Sequence, residues 1–245
     1  MTTSVVIGGA SGIGRAVAEN LHARGDVVIV VDRDDAGKEL AKNLGSNAHF
    51  VHADMSTSTG PRESITESLE ISGGEIDVLY FGPAVLESRR LAEWTLEDWD
   101  RSLSVNLRAA FFVCQAAETA LRKSPLGRIV LMSSTGAFRG HAGMHAYHAS
   151  KSGMLGLVRS LADEFAPSVT VNAVCPGWID TPFNDSFWTF QEDPKRAREQ
   201  IEASIPARRQ GQPSDVAGII NFLTTPEASY ITGQSVTVDG GYTAV

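Results

Sequence analysis

Short, nearly continuous apolar runs recur along the chain at 4–8, 27–31, 48–51, 76–80, 128–132, 169–174 and 236–238. Helix-like segments lie between them at 13–24, 36–44, 61–69, 96–121, 150–165 and 213–223. An apolar run without polar alternation fits a strand buried on both faces, and strands that alternate with helices fit a parallel sheet covered on both sides by crossovers. The pattern therefore predicts an α/β, doubly wound, seven-stranded and mostly parallel sheet. Residues 178–210 break the alternation and read as irregular or short helical structure inserted before the last helix and strand. Ligands bind beyond the carboxyl ends of strands in such sheets, so this insertion reads as a substrate lid on a single domain.

Composition narrows the class. The 245 residues are 42% hydrophobic, enough for one packed core and few for two. A net charge of −8 argues against a general nucleic-acid binder, and no apolar run approaches the length of a membrane span. Two cysteines, Cys114 and Cys175, make neither a disulfide framework nor a four-thiolate zinc site and read as buried inert thiols. The opening MTTSVVIGG carries no basic segment followed by an apolar stretch, so the expected location is cytoplasmic.

Chemistry begins at the first strand–helix junction, Gly8-Gly9-Ala10-Ser11-Gly12-Ile13-Gly14. Backbone without Cβ atoms lets a pyrophosphate approach a helix N-terminus. Asp32 ends the second apolar run, where a carboxylate accepts hydrogen bonds from an adenosine ribose and repels a 2′-phosphate. With Ser11 rather than a basic residue before Gly12, these features point to NAD; Arg33 is the dissenting residue, able to pair with a phosphate. Further on, Tyr147 and Lys151 stand four residues apart on one helix face, an arrangement in which an ammonium and a positively charged nicotinamide both favour phenolate. Ser133 and Ser134 follow a buried strand at its ligand-binding end, where a hydroxyl can hold a substrate carbonyl.

Taken together, GGASGIG, SSTGAF, YHASK, NAVCPGWIDTP and ITGQSVTVDGGY closely resemble the short-chain dehydrogenase/reductase family over essentially the full chain. The resemblance implies a Rossmann-like fold with Tyr147 as general acid/base, Lys151 on the nicotinamide ribose, Ser134 orienting the carbonyl and Asn106 supporting a proton relay. It also implies adenine-side contacts from Asp54, with Met55 beside it, and from the loop at Gly82. Pro176, Gly177, Ile179 and Thr181 would lie beside the nicotinamide carboxamide. A homotetramer is implied, with helices near 96–121 and 150–166 at one interface. Two departures stand out: Phe81-Gly82-Pro83-Ala84 replaces the family's Asn-Asn-Ala-Gly, and Ile7 replaces the usual threonine before the first glycine. Both read as altered supports that leave the Ser–Tyr–Lys set intact.

Trp178, Phe183, Phe187, Trp188 and Phe190 place five of the chain's 18 aromatic residues within 13 positions. They read either as a lid packed on the core or as a pocket for an apolar, cyclic or aromatic substrate. His145, two residues before Tyr147, is a further pocket candidate, and His141, His145 and His148 are not expected to hold a metal. The reaction expected is NAD-dependent interconversion of a secondary alcohol and its ketone, with no nucleic-acid or membrane partner. The alternatives are an NADPH-linked 3-oxoacyl thioester reductase and a catalytically silent NAD-binding sensor. Epimerases that share Tyr and Lys need a C-terminal substrate domain for which this chain has no residues.

Overall fold

In the computed structural model, which describes residues 1–245, the seven strands are β1 Thr3–Ile7, β2 Val27–Asp32, β3 Ala48–His52, β4 Val78–Phe81, β5 Arg128–Met132, β6 Thr170–Pro176 and β7 Ser235–Val238. They form one sheet in the order β3-β2-β1-β4-β5-β6-β7. All six pairings are parallel, so the expectation of a mostly parallel sheet sharpens to an all-parallel one. The order reverses between β1 and β4, the place where a doubly wound sheet opens a crevice at its carboxyl edge.

Alternation along each strand decides what each face buries. Val5 and Ile7 of β1, and Ile129 and Leu131 of β5, join a core of 30 buried residues. That core includes side chains from α3 (Gly60–Ser72), α5 (Ala109–Lys123) and α6 (His145–Phe165). Val6 and Val130 point the other way, into a core of 16 with α1 (Gly12–Ala23), α2 (Ala36–Leu44) and α9 (Pro213–Leu223). A fully buried Val, Leu or Ile contributes about 1.5–3 kcal/mol, so both faces are worth covering and the runs stay apolar without interruption. No helix is long and apolar enough to cross a membrane.

Two helices differ from their expected extents. The segment expected as one helix over 96–121 is α4 (Leu96–Leu103), a π-helical turn at Ser104–Arg108, and then α5. The helix expected over 150–165 starts at His145, because Gly143, at φ +87°, turns the chain into it five residues earlier. The insertion contains α7 (Asp185–Phe190) and α8 (Pro194–Ser204) and is tied down by an isolated bridge between Ile179 and Gly211. Above the carboxyl edge lies a third core of eight residues, among them Tyr147, Trp178, Phe187, Trp188 and Tyr242.

The β1–α1 turn is closed by contact between glycines. A Cβ on Gly14 would stand 1.9 Å from the carbonyl oxygen of Gly8, so the first helical turn seats against the end of β1 only because that carbon is missing. Forcing an extra methyl into such a site costs about 1–3 kcal/mol. Gly14→Ala is therefore expected to lower the melting temperature of the ligand-free protein by roughly 5–10 °C in a calorimetric scan; an unchanged Tm would contradict the contact.

Candidate active site

A cavity of about 530 Å³ opens at the carboxyl edge of the sheet, over the reversal in strand order. Gly8, Ser11, Gly12, Ile13 and Gly14 line one end. Ser11 makes no side-chain cap, and the first turn of α1 carries no acidic residue, so the helix presents its amide groups to the cleft without a competing anion. Gly12 has φ +52°, and a Cβ there would meet nothing closer than Thr181 Cγ2 at 3.6 Å, leaving room for a ligand. A pyrophosphate fits these donors.

Asp32, Arg33, Asp54 and Met55 also face the cavity. Asp32 accepts the Ala10 amide at 3.0 Å through Oδ2 and the Asp34 amide at 3.1 Å through Oδ1. Each oxygen keeps a lone pair for a further donor such as a ribose hydroxyl. Burial raises the Asp54 carboxyl, yet the Ser56 amide bonded to it and the nearby Arg33 guanidinium hold it below its usual range overall. Gly82 lines the same wall, and its neighbour Pro83 packs on the glycine turn: a Cβ on Gly8, at φ +78°, would lie 3.0 Å from Pro83 N. The departure at 81–84 thus places a proline ring against the glycine turn, at the position where the family pattern has alanine. Pro176, Gly177, Ile179 and Thr181 complete the opposite side. A dinucleotide cofactor fits the residues present.

Beyond the turn, Ser134, Tyr147 and Lys151 share the cavity wall. Ser133 donates to the Lys151 carbonyl at 2.8 Å and serves as a brace between β5 and α6, whereas the Ser134 hydroxyl accepts from the Gly136 amide and keeps its proton for another partner. The Lys151 ammonium is 2% exposed and donates to the Met132 carbonyl at 2.8 Å, standing 5.7 Å from the Tyr147 ring centre. Burial lowers its pKa to about 8. Burial likewise pushes the Tyr147 phenol up to about 12, against the pull of the Ser134 hydroxyl. The cofactor-free pocket therefore opposes the phenolate that sequence reasoning expects.

Asn106 is fully buried and does not reach the cavity wall. Its Oδ1 accepts the Val85 amide at 2.7 Å, while Nδ2 donates to the Val85 carbonyl at 3.0 Å and to Ser150 Oγ at 3.1 Å. Ser150 in turn donates to the Tyr147 carbonyl at 2.7 Å. The π-helical turn carries this amide, which braces the β4 loop against the helix that bears the tyrosine.

Among the pocket candidates, Trp178 and Phe183 face the cavity. Phe187 and Trp188 do not: both are 5% exposed and stand behind Trp178, at ring distances of 4.7 and 5.0 Å. Phe190 lies against Gly143. His145 is a further correction. Residues two apart on a helix point about 200° apart, so a histidine two before Tyr147 faces away from the cleft, and its ring meets Trp94 edge-on at 6.0 Å. His141, Met144 and His148 take the wall instead. The same angular argument favours Lys151, about 40° from Tyr147 around the helix, whereas His148 lies about 100° away and is not selected by helical spacing alone.

Because burial holds the Tyr147 phenol protonated, ultraviolet difference titration of the cofactor-free protein against Tyr147→Phe should show no phenolate from this residue below about pH 11. A phenolate signal near pH 7 in the empty cleft would overturn this account.

A family model described as "Enoyl-(Acyl carrier protein) reductase" matches residues 8–243. The 3-oxoacyl-[acyl-carrier-protein] reductase FabG of Aquifex aeolicus is 36% identical over 244 residues, covering 97% of this chain and 96% of the relative. A structure of actinorhodin polyketide ketoreductase with NADPH superimposes with a TM-score of 0.91 at 31% identity, over 98% of this chain and 97% of its own. A Beutenbergia cavernae protein with bound NADP, assigned as an NAD(P)-dependent gluconate 5-dehydrogenase, gives 0.92 at 36% identity, over 100% and 97%. With the cleft described above, these likenesses make the chain an NAD(P)-dependent oxidoreductase acting on CH–OH groups, a member of the short-chain dehydrogenase/reductase family.

Proposed function

We propose that the chain interconverts a secondary alcohol and its ketone with NAD(H), using Ser134 to hold the carbonyl oxygen and Tyr147 to give or take the hydroxyl proton. The reading rests on one observation: a serine hydroxyl, a phenol and a buried ammonium share one wall of a cleft whose far end is an uncapped helix N-terminus. A nicotinamide bound there supplies or accepts the hydride. Lys151 keeps two N–H groups beyond the one given to Met132, enough for the hydroxyls of a nicotinamide ribose. A cationic ring beside Tyr147 would lower the phenol from its resting value towards neutrality, so that the pocket's burial is offset only when the cofactor is in place. Asn106 acts through Val85 and Ser150 to hold the tyrosine's helix. The segment 178–210 serves as the lid.

NAD is the cofactor supported by Asp32, whose carboxylate would lie against a 2′-phosphate; Arg33 on the same wall is the residue that could instead pair with one. The actinorhodin and Beutenbergia proteins carry NADPH and NADP, so cofactor choice separates this chain from those relatives. Of the substrate classes, a 3-oxoacyl thioester has the better support, because relatives at 34–36% identity carry that activity in their names. A compact cyclic ketone is the second reading, favoured by Trp178 and Phe183 on the wall. The buried free thiols Cys114 and Cys175 suit a reducing compartment. Adjacent exposed rings of Phe111 and Phe112 on α5 suit a homotetramer, which light scattering of the purified protein would register as four chains.

Three outcomes test the function. Tyr147→Phe should cost about 10²–10⁴-fold in kcat with cofactor affinity retained; full activity in that variant would remove the phenol from the chemistry. Steady-state kinetics should favour NADH over NADPH, and Asp32→Ser should narrow or invert that preference by about tenfold or more; a wild type that prefers NADPH would refute the NAD assignment. Acetoacetyl-N-acetylcysteamine should be reduced more efficiently than cyclohexanone; the reverse order would favour the cyclic class.

A further inference from the structure

The loop between β5 and α6 places His141 inside a box of rings. Its imidazole stacks on Tyr242 at 6.4 Å with 6° between planes. It meets Trp178 and Phe187 edge-on at 5.4 and 5.7 Å and lies 6.1 Å from His148. The box is fixed from outside. Tyr242 is 3% exposed, with the Arg139 guanidinium 4.4 Å over its face and Arg139 also donating to its carbonyl. The His141 backbone amide donates to His148 Nδ1 at 3.4 Å.

The two ring nitrogens of His141 are not equivalent. Nε2 meets the Tyr242 hydroxyl at 3.4 Å, and that hydroxyl has no other partner in the chain. With the phenol as donor to Nε2, the proton of a neutral imidazole stands on Nδ1. Burial and the Arg139 charge both hold the ring in its neutral form. Nδ1 bonds to nothing in the chain, yet it is not sealed off as His148 Nε2 is, and His141 lines the same cavity as Ser134 and Tyr147. His141 thus brings to the cavity wall a ring nitrogen that has no partner within the chain.

We propose that His141 determines specificity, its Nδ1–H donating to a second oxygen of the substrate beyond the carbonyl taken by Ser134 and Tyr147. The inference rests on the ketone-reducing reading above; in a 3-oxoacyl thioester that second oxygen is the thioester carbonyl. A site built to bond a substrate oxygen rejects analogues that lack it, because its own donor is then desolvated and unpaired. Tyr242 is a positioning residue, orienting the imidazole and setting its tautomer.

The test compares three ketones in the presence of NADH: ethyl 3-oxobutanoate, acetoacetyl-N-acetylcysteamine, and 2-pentanone, which has one oxygen only. His141→Phe keeps a ring in the box and removes both nitrogens. It should lower kcat/KM for ethyl 3-oxobutanoate by about tenfold more than for 2-pentanone, chiefly through KM. His141→Asn, which returns a polar group near the Nδ1 position, should recover most of that difference. Equal losses on the two ketones, or no recovery in His141→Asn while His141→Phe is impaired, would reduce His141 to packing and overturn the proposal. A wild type that reduces the 3-oxo ester and not the thioester would refute the thioester reading alone. Should the wild type reduce none of the three, binding of ethyl 3-oxobutanoate to the NADH complex, followed through tryptophan fluorescence, decides: weaker binding in His141→Phe supports the donor, and equal binding overturns it.

Discussion

A sheet whose strands all run the same way gathers every carboxyl end at one edge, and the chemistry of this chain depends on that constraint. Both faces are sealed by helices, so polar groups find solvent and ligands only where the strands stop. The glycine turn follows β1, Asp32 ends β2, Asp54 follows β3, Ser134 follows β5, and Trp178 follows β6. Residues far apart in sequence therefore meet on one rim without any of them being buried in the sheet itself.

The helix α6 then carries the site's proton chemistry into that rim. Its first turns hold Tyr147, His148 and Lys151 on the cleft side, and Ser150 and Asn106 brace them from behind. Dehydration acts on the phenol and the ammonium in the same sense, favouring the neutral form of each. With its pKa near 8 the lysine still carries most of its charge at neutral pH, while the phenol stays neutral. A cation bound beside Tyr147 would favour the phenolate, which couples the reactivity of Tyr147 to occupancy of the neighbouring subsite.

Much of this was legible in the residues alone. The runs of Val, Ile and Leu identified the buried strands, and the spacing of Gly8, Gly12, Gly14, Asp32, Ser134, Tyr147 and Lys151 placed the cleft's polar side, because those features are local and periodic. What escaped was set by distant parts of the chain. The π-helical turn at 104–108 exists where Asn106 reaches Val85 and Ser150, contacts with no trace in helical periodicity. The expectation that His145 lines the pocket follows its closeness in sequence to Tyr147, but two residues along a helix turn it about 200° away, towards Trp94, while His148 reaches the cavity wall. The aromatic segment at 178–190 splits into two layers, Trp178 and Phe183 on the wall and Phe187 and Trp188 behind it. Which ring takes which layer follows from the fold of the insertion, since all of them are equally apolar.

The insertion is unevenly anchored. α7 buries Phe187 and Trp188, whereas α8 has no buried side chain and holds to its neighbour in part through Arg198, whose guanidinium lies 5.1 Å from the Trp188 ring centre. A helix with so little covered surface opens locally at small free-energy cost while the domain beneath it stays folded. Its sequence also carries Lys195, Arg196 and Arg198 close together. Trypsin would meet its preferred residues on a weakly anchored helix, and a nick there would leave the sheet, the glycine turn and the Ser–Tyr–Lys wall in one piece.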